Sequence, residues 1–377
     1  MEDHRVTILY VSHFPHMRMG GQQSMVALIK HLDRTKFRPL GVTSMAGELT
    51  ERLVELGCPV YHIPLGPIST NTWRQVRKNI ASFRRLYREH NVRIVHPDAE
   101  RDVVVCGLAK TGLPVELVWH VRITGSNKLD PIVVRLADRI IGVSKGVQER
   151  FPSKRLKGKY RTIYNGVDLT RFHPVDDARG LRLKLGLPVE RSILLFAGQI
   201  KREKGIFELV EAMRLLSQRR QRNAMPFLVM MGTPVRASML HELQDMIAED
   251  EIGNNIILKE HQRNVEEWMA AADILLLPSH SEGMGRVIFE GMACGAVPIA
   301  SDIPGVREAI TSESGLLVPE KNPLALADAI ESLLDDTLLY TSLKKEGAER
   351  ARNVFDARIH ARNVEEVYRE MVGDKFT

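Results

Sequence analysis

Cysteine is scarce in this chain. Cys58, Cys106 and Cys294 are the only three in 377 residues, and no two form a C-x-x-C pair. That excludes a disulfide scaffold and a structural zinc site, and it fits a reducing, cytoplasmic compartment. Aromatic residues make up only 6%. With no recognised DNA- or RNA-binding motif, nucleic acid is not an expected partner. No run approaches the ~18 apolar residues of a membrane-spanning helix. The N-terminal stretch MEDHRVTILYVSHF has a short apolar run that soon meets His13 and Pro15, without a signal-peptide layout. There is no Walker G-K-[ST] loop and no G-x-G-x-x-G after the first strand-like run. No D-x-D pair occurs, and no metal site is assigned.

What is present is ordinary for a folded chain: 44% hydrophobic and 27% charged residues, with a formal charge of +6. At about 150 residues per domain, two domains are expected. Each can bury a core without a metal or a staple. The small positive excess serves solubility, or else anionic substrates or an anionic surface.

Short apolar runs alternate with helical patterns. VTILYVS (6–12), RPLGVTS, PVYHIP, VRIVHP, VELVWH, RIIGVS and YRTIY form a first series. RSILLFAG, PFLVMMG, NIILKE, DILLLPS and AVPIAS form a second. This rhythm predicts an α/β fold with two doubly wound, Rossmann-like domains. Between them, 171–190 carries two prolines, two glycines and dense charge, and reads as a linker. The expected division is 1–175, 176–355 and a terminal segment, 356–377. That segment contains the charged amphipathic stretch DARIHARNVEEVYREMV, which has no strand after it and must pack back on the first domain. In open parallel sheets, ligands lie beyond the C-terminal strand ends, so residues just after strands carry weight.

Four such places stand out. LLLPSHSEGMGRVIFEGMACG (275–295) is strand, polar loop and helix. Gly283 and Gly285 flank Met284 and would bring free helix-start amides close to an anion. Glu282 in the loop suits sugar hydroxyls, and Glu290, in a small, apolar and therefore buried helix, needs a partner. ILLFAGQIKREKG (193–205) ends a strand at Gly198 and places Lys204 and Gly205 before a helix, an arrangement suited to a diphosphate. Alone, Lys204 also reads as a solvated loop lysine. Gly20-Gly21 lies between the first strand and first helix, and reads equally as a turn. His120 and His96 end strands, where a histidine is more often structural than catalytic; Arg122 follows His120 by two residues.

FAGQIKREKG, the pair Glu282 and Glu290, EGMGRVIFEGMACGAVPIAS, IGVSKGVQERF and YNGVDLTRFHP occur in one order. Together they resemble the retaining glycosyltransferases of family 4, which have the GT-B fold with two Rossmann-like domains facing a central cleft. The resemblance covers nearly the whole chain, more specifically in its C-terminal half. It implies transfer of a sugar from a UDP- or GDP-linked donor to a hydroxyl acceptor, a carbohydrate or a lipid-linked glycan, in cell-surface polysaccharide, lipopolysaccharide or glycolipid synthesis. The donor would bind the C-terminal domain and the acceptor the N-terminal one. It implies that Glu282 contacts the donor sugar's hydroxyls and Glu290 the ribose. The amides of Gly283, Met284 and Gly285 would sit near sugar and diphosphate. Lys204 would hold the diphosphate, Gly20 and Gly21 would cover it, and His120 would stand near the anomeric carbon. Where the family often has arginine after Gly198, this chain has Gln199; Arg202 is the candidate substitute. Gln22-Gln23 replaces the frequent x-Glu after the glycine pair. No cofactor is implied. Front-face attack is favoured, with the leaving phosphate accepting the acceptor's proton. A GT-B nucleotide-sugar epimerase and a non-catalytic nucleotide-sugar-binding protein remain as alternatives.

The stretch 72–93 reads as a helix with Trp73, Val76, Ile80, Phe83 and Leu86 on an apolar stripe, and Arg74, Arg77, Lys78, Arg84, Arg85 and Arg88 mostly elsewhere. With the basic run 153–161 it is either a solvated face or a contact for an anionic membrane, which would place the protein at the inner face of the cell membrane.

Overall fold

The computed structural model describes residues 4–17, 19–67, 70–152, 156, 158–248 and 251–373. Two compact units divide the chain, Met1–Gly166 with Ala357–Thr377, and Val167–Asp356.

The first unit holds a seven-stranded sheet in the order β3-β2-β1-β4-β5-β6-β7. Its strands are β1 (Val6–Ser12), β2 (Phe37–Thr43), β3 (Val60–His62), β4 (Val92–Pro97), β5 (Glu116–Val121), β6 (Arg139–Gly142) and β7 (Tyr160–Thr162). All are parallel. A central parallel strand is covered on both faces, which is why β1 is apolar almost throughout and buried along its whole length. Pro39 in β2 breaks no ladder, because β3 pairs only with Gly41–Thr43 on that side. The terminal helix Ala357–Val372 completes this unit. Its Ala361, Val364, Val367, Tyr368 and Val372 share one core with Ile8, Tyr10, Leu28 and Phe37. Each such fully buried apolar side chain is worth about 1.5–3 kcal/mol.

The second unit holds a six-stranded parallel sheet in the order β10-β9-β8-β11-β12-β13. Its strands are β8 (Ile193–Ala197), β9 (Phe227–Met231), β10 (Ile256–Lys259), β11 (Ile274–Leu277), β12 (Val297–Ser301) and β13 (Leu316–Val318). The helices Ile206–Arg219 and Pro323–Asp335 pack their apolar faces on this sheet. Within the stretch read as a linker, Ala178–Leu185 is a helix, capped by the Asp177 carboxylate at 2.7 Å from Gly180 N and ended by left-handed Gly186. Arg182 ties it to this unit through Asp273 at 2.7 Å and the Ala271 carbonyl at 2.9 Å.

In each sheet the strand order reverses beside the first strand, between β1 and β4 and between β8 and β11. These are the switch points at whose C-terminal edge doubly wound sheets bind ligands.

Candidate functional site

In the second unit, two loops meet at the β8/β11 switch point. After β8 the chain passes so close to the next strand's end that a Cβ on Gly232 would lie 1.6 Å from the Gly198 carbonyl oxygen. A 3-10 turn, Arg202–Lys204, then leads to Gly205 at φ +69°. A side chain there would be strained by its backbone and would also meet the Pro278 oxygen at 2.1 Å. Gly205 therefore lets the loop carrying Lys204 lie directly against the loop that follows β11. His280 N donates to the Glu203 carbonyl at 2.9 Å and joins the two.

The second loop runs from Pro278 to Gly285 and opens the helix Arg286–Cys294. Lys204 Nζ donates to Glu282 Oε1 in a short charged contact, and Ser279 Oγ donates to the same oxygen at 2.8 Å. Both charged side chains are largely buried, at 18% and 12% exposed, so the attraction is screened less than at the surface. Gly285, at φ +62°, allows the sharp entry into the helix, and no side chain caps it. Below the loop, a Cβ on Gly305 would lie 2.1 Å from the Glu282 carbonyl oxygen and 2.7 Å from that of Gly283. One turn into the helix, buried Glu290 has the partner that its burial demands. Arg286, four residues earlier, donates from Nη2 at 2.7 Å and from Nε at 3.2 Å. The structure thus brings together Gly198, Lys204, Glu282, Gly283, Met284, Gly285 and Glu290 at the edge of one sheet. Arg202 is engaged elsewhere, with Glu242 at 2.6 Å and over the Phe207 ring at 4.3 Å.

In the first unit, Gly20 and Gly21 are the first two residues of the helix Gly20–His31 rather than a turn before it. A Cβ on Gly21 would lie 2.9 Å from the nearer oxygen of the Asp98 carboxylate. Asp98 accepts from Gln22 Nε2 at 2.7 Å and Arg122 Nε at 3.1 Å. Arg122 also donates to Asn165 at 2.8 Å and to His120 Nδ1 at 3.3 Å. His120 lies between two other imidazoles, stacked on His96 at 5.5 Å and His360 at 5.7 Å. Burial, and then the Arg122 charge, hold His120 well below the ordinary histidine range, so its ring is neutral. With Nδ1 accepting from Arg122, the proton sits on Nε2, which is buried and has no hydrogen-bond partner.

Sequence reasoning passed over Gly305, Asp98 and Arg286. Arg286 had a signal, its i,i+4 spacing from Glu290. Gly305 and Asp98 had none, because their contacts are made across the fold.

The helix Trp73–Glu89 buries Val76, Phe83 and Leu86, half-buries Ile80, and leaves Trp73 51% exposed. Arg74, Arg77, Lys78, Arg85 and Arg88 are exposed, whereas Arg84 donates to the Ala109 and Thr111 carbonyls. Of the second basic run, residues 153–155 and 157 lie outside the described residues; Lys159 donates to the Ala137 carbonyl and Arg161 pairs with Glu370. Among the described residues no helix is long and apolar enough to cross a membrane.

Two family models match successive stretches of the chain, parting between residues 171 and 178, whereas the second structural unit begins at Val167. Residues 19–171 match the model of Glycosyltransferase Family 4, and 178–350 match that of Glycosyl transferases group 1. A D-inositol 3-phosphate glycosyltransferase of Jonesia denitrificans is 35% identical over 204 residues, 52% of this chain and 48% of that protein. One of the same name from Kineococcus radiotolerans is 30% identical over 261 residues, 64% and 59% of the two. The matched part therefore spans about half the length of these curated relatives. An Anabaena protein solved with UDP and glucose has a TM-score of 0.83 at 20% identity, covering 97% of this chain and 99% of its own, a likeness of fold.

Proposed function

The chain belongs to the glycosyltransferases of group 1 and family 4, with the GT-B fold, and on that premise we propose that it is a retaining, metal-independent transferase. It moves a sugar from a UDP- or GDP-linked donor to a hydroxyl of a carbohydrate or lipid-linked acceptor, in the synthesis of a cell-surface glycan or glycolipid. The observation that carries this is the Lys204–Glu282–Ser279 cluster beside an uncapped helix start.

When the sugar leaves, negative charge grows on the β-phosphate and positive charge on the ring. Lys204 and the amides of Gly283, Met284 and Gly285 supply fixed positive charge for the phosphate. Without donor, Glu282 is the counter-ion of Lys204. A diphosphate draws the ammonium toward itself, which releases Glu282 to accept from the sugar hydroxyls. Glu290 accepts from the ribose hydroxyls, and Gly198 keeps the slot open by carrying no side chain. Arg202 adds charge to the diphosphate only by leaving Glu242. The resemblance assigns His120 to the donor sugar, but its Nε2 is buried in the first unit, so that role requires the ring to become exposed. The new bond forms on the face the phosphate leaves, and the phosphate takes the hydroxyl proton.

A thermal-shift panel of UDP, GDP and their sugars tests this. A ligand at 100 times its Kd adds about 2.7 kcal/mol, a rise of roughly 5–10 °C for a unit of this size. No shift with any of them ends the proposal, and interconversion of sugars without an acceptor makes the protein an epimerase instead. Gly305→Ala pushes the Glu282–Gly283 loop out of place and is expected to weaken nucleotide binding at least tenfold; unchanged affinity would show that the loop does not touch the ligand.

The exposed cations of Trp73–Glu89 suit an anionic leaflet at the cytoplasmic face. The protein is expected to sediment with phosphatidylglycerol vesicles at physiological salt, and Arg74→Glu with Arg77→Glu to abolish this. Equal recovery with uncharged phosphatidylcholine vesicles would remove the electrostatic basis.

A further inference from the structure

We propose that His13 is a contact for the acceptor's hydroxyl group, with Asp102 as its positioning residue; this rests on the transferase reading above. His13 directly follows β1, and Asp102 lies in the first turn of the helix Glu100–Lys110, which follows β4. The two residues therefore close the β1/β4 switch point from its two sides, in the unit assigned to the acceptor.

His13 Nδ1 is 2.8 Å from Asp102 Oδ2. Asp102 is fully buried, and its other oxygen has no hydrogen-bond partner. Burial pushes this carboxyl well above the carboxylate range, and nearby Asp98 and Glu100 add to that, while Arg101 at 3.8 Å opposes it. A buried carboxyl with so few partners costs stability, and an apolar residue of similar size would cost less. Among the described residues, the one hydrogen bond its side chain makes is to the His13 ring. Its consequence is to fix how that ring is turned.

Two further contacts hold the residue. Its ring lies tilted by 44° against Phe14 with centroids 3.8 Å apart, and Ser44 Oγ donates to the His13 backbone carbonyl at 2.6 Å. His13 Nε2, by contrast, has no hydrogen-bond partner among the described residues, and the residue keeps 9% of its surface exposed. A polar atom held so firmly, with nothing in the protein to bind, is preorganised for a ligand. An imidazole nitrogen matches a hydroxyl in either tautomer, since a hydroxyl both donates and accepts.

Three substitutions separate this from a merely structural pair. His13→Asn keeps an amide near Nδ1 and so the bond to Asp102, but deletes the outer nitrogen. His13→Gln reaches the outer position. Asp102→Asn keeps a hydrogen bond to the ring but can donate as well as accept, so it no longer fixes which ring nitrogen carries the proton. The readout is release of nucleoside diphosphate from UDP- and GDP-sugars, with water as the hydroxyl, beside the thermal shift produced by UDP and GDP. His13→Asn is expected to lower release at least tenfold with Tm and nucleotide-induced shift unchanged, His13→Gln to recover part of it, and Asp102→Asn to fall between. Wild-type release in His13→Asn, or equal loss in His13→Asn and His13→Gln, overturns the assignment. So does a wild type that binds nucleotide yet turns over no donor. A wild type that no nucleotide stabilises removes the transferase reading first, and this inference with it.

Discussion

Lys204→Ala is expected to lower sugar transfer by about 10²- to 10³-fold, the typical effect of deleting one preorganised donor to a developing oxyanion. The fold survives, because Lys204 sits in an edge loop that Gly205 and the His280–Glu203 bond hold in place without it. Glu282→Ala is expected to cost at least tenfold, since the donor sugar loses its acceptor and Lys204 loses the counter-ion that orients it. Because the two side chains touch, their losses do not add, and the double variant is expected to be little slower than Lys204→Ala. Steady-state kcat/KM for the donor, with Tm measured alongside, checks all three. Near wild-type kinetics in both single variants would remove the roles assigned here.

How much of this could be read from the residues alone differs by element. The long central strands were legible because a parallel strand buried on both faces is an apolar run, as ILLFA and ILLL are. β13 was not: it has three residues, is half-exposed at Leu317, and pairs with one neighbour only. Trp73 followed the helical spacing of the buried stripe and yet is exposed, because the stripe's core begins one turn later at Val76. Glycine loops after β8 and β11 were visible as loops, while the reason for each glycine lies in another segment: Pro278 for Gly205, Glu282 for Gly305. The histidine stack shows the same limit. His96 and His120 both end strands, but the third ring, His360, comes from the terminal helix, 240 residues beyond His120. No local pattern announces it.

That stack makes the first unit sensitive to acid. His96 Nδ1 bonds the Tyr368 hydroxyl at 2.6 Å, which in turn donates to Tyr10 at 3.1 Å. Burial, then the charge of Arg122, lowers the His96 pKa to about 3, and the same causes hold His120 well down. Both are thus neutral in the folded protein. In the unfolded chain they titrate near 6.5. Below that pH the unfolded state binds protons that the folded state refuses, so stability is complete above about pH 6.5 and is lost as pH falls toward 3. Each histidine contributes roughly 1.4 kcal/mol per pH unit. Between pH 7.5 and 5 His96 is expected to cost about 2 kcal/mol, and His120 acts in the same direction. Asp102, Glu116 and Glu365, whose carboxyls burial pushes up, act in the opposite sense and offset part of it. The difference between variants isolates the histidine contribution. His96→Gln is expected to lose about 2 kcal/mol less than wild type over this interval, in urea unfolding followed by a probe in the first unit. An identical pH dependence in the two proteins would mean that His96 already carries its proton inside the fold, and that the stack beneath Tyr368 is not neutral.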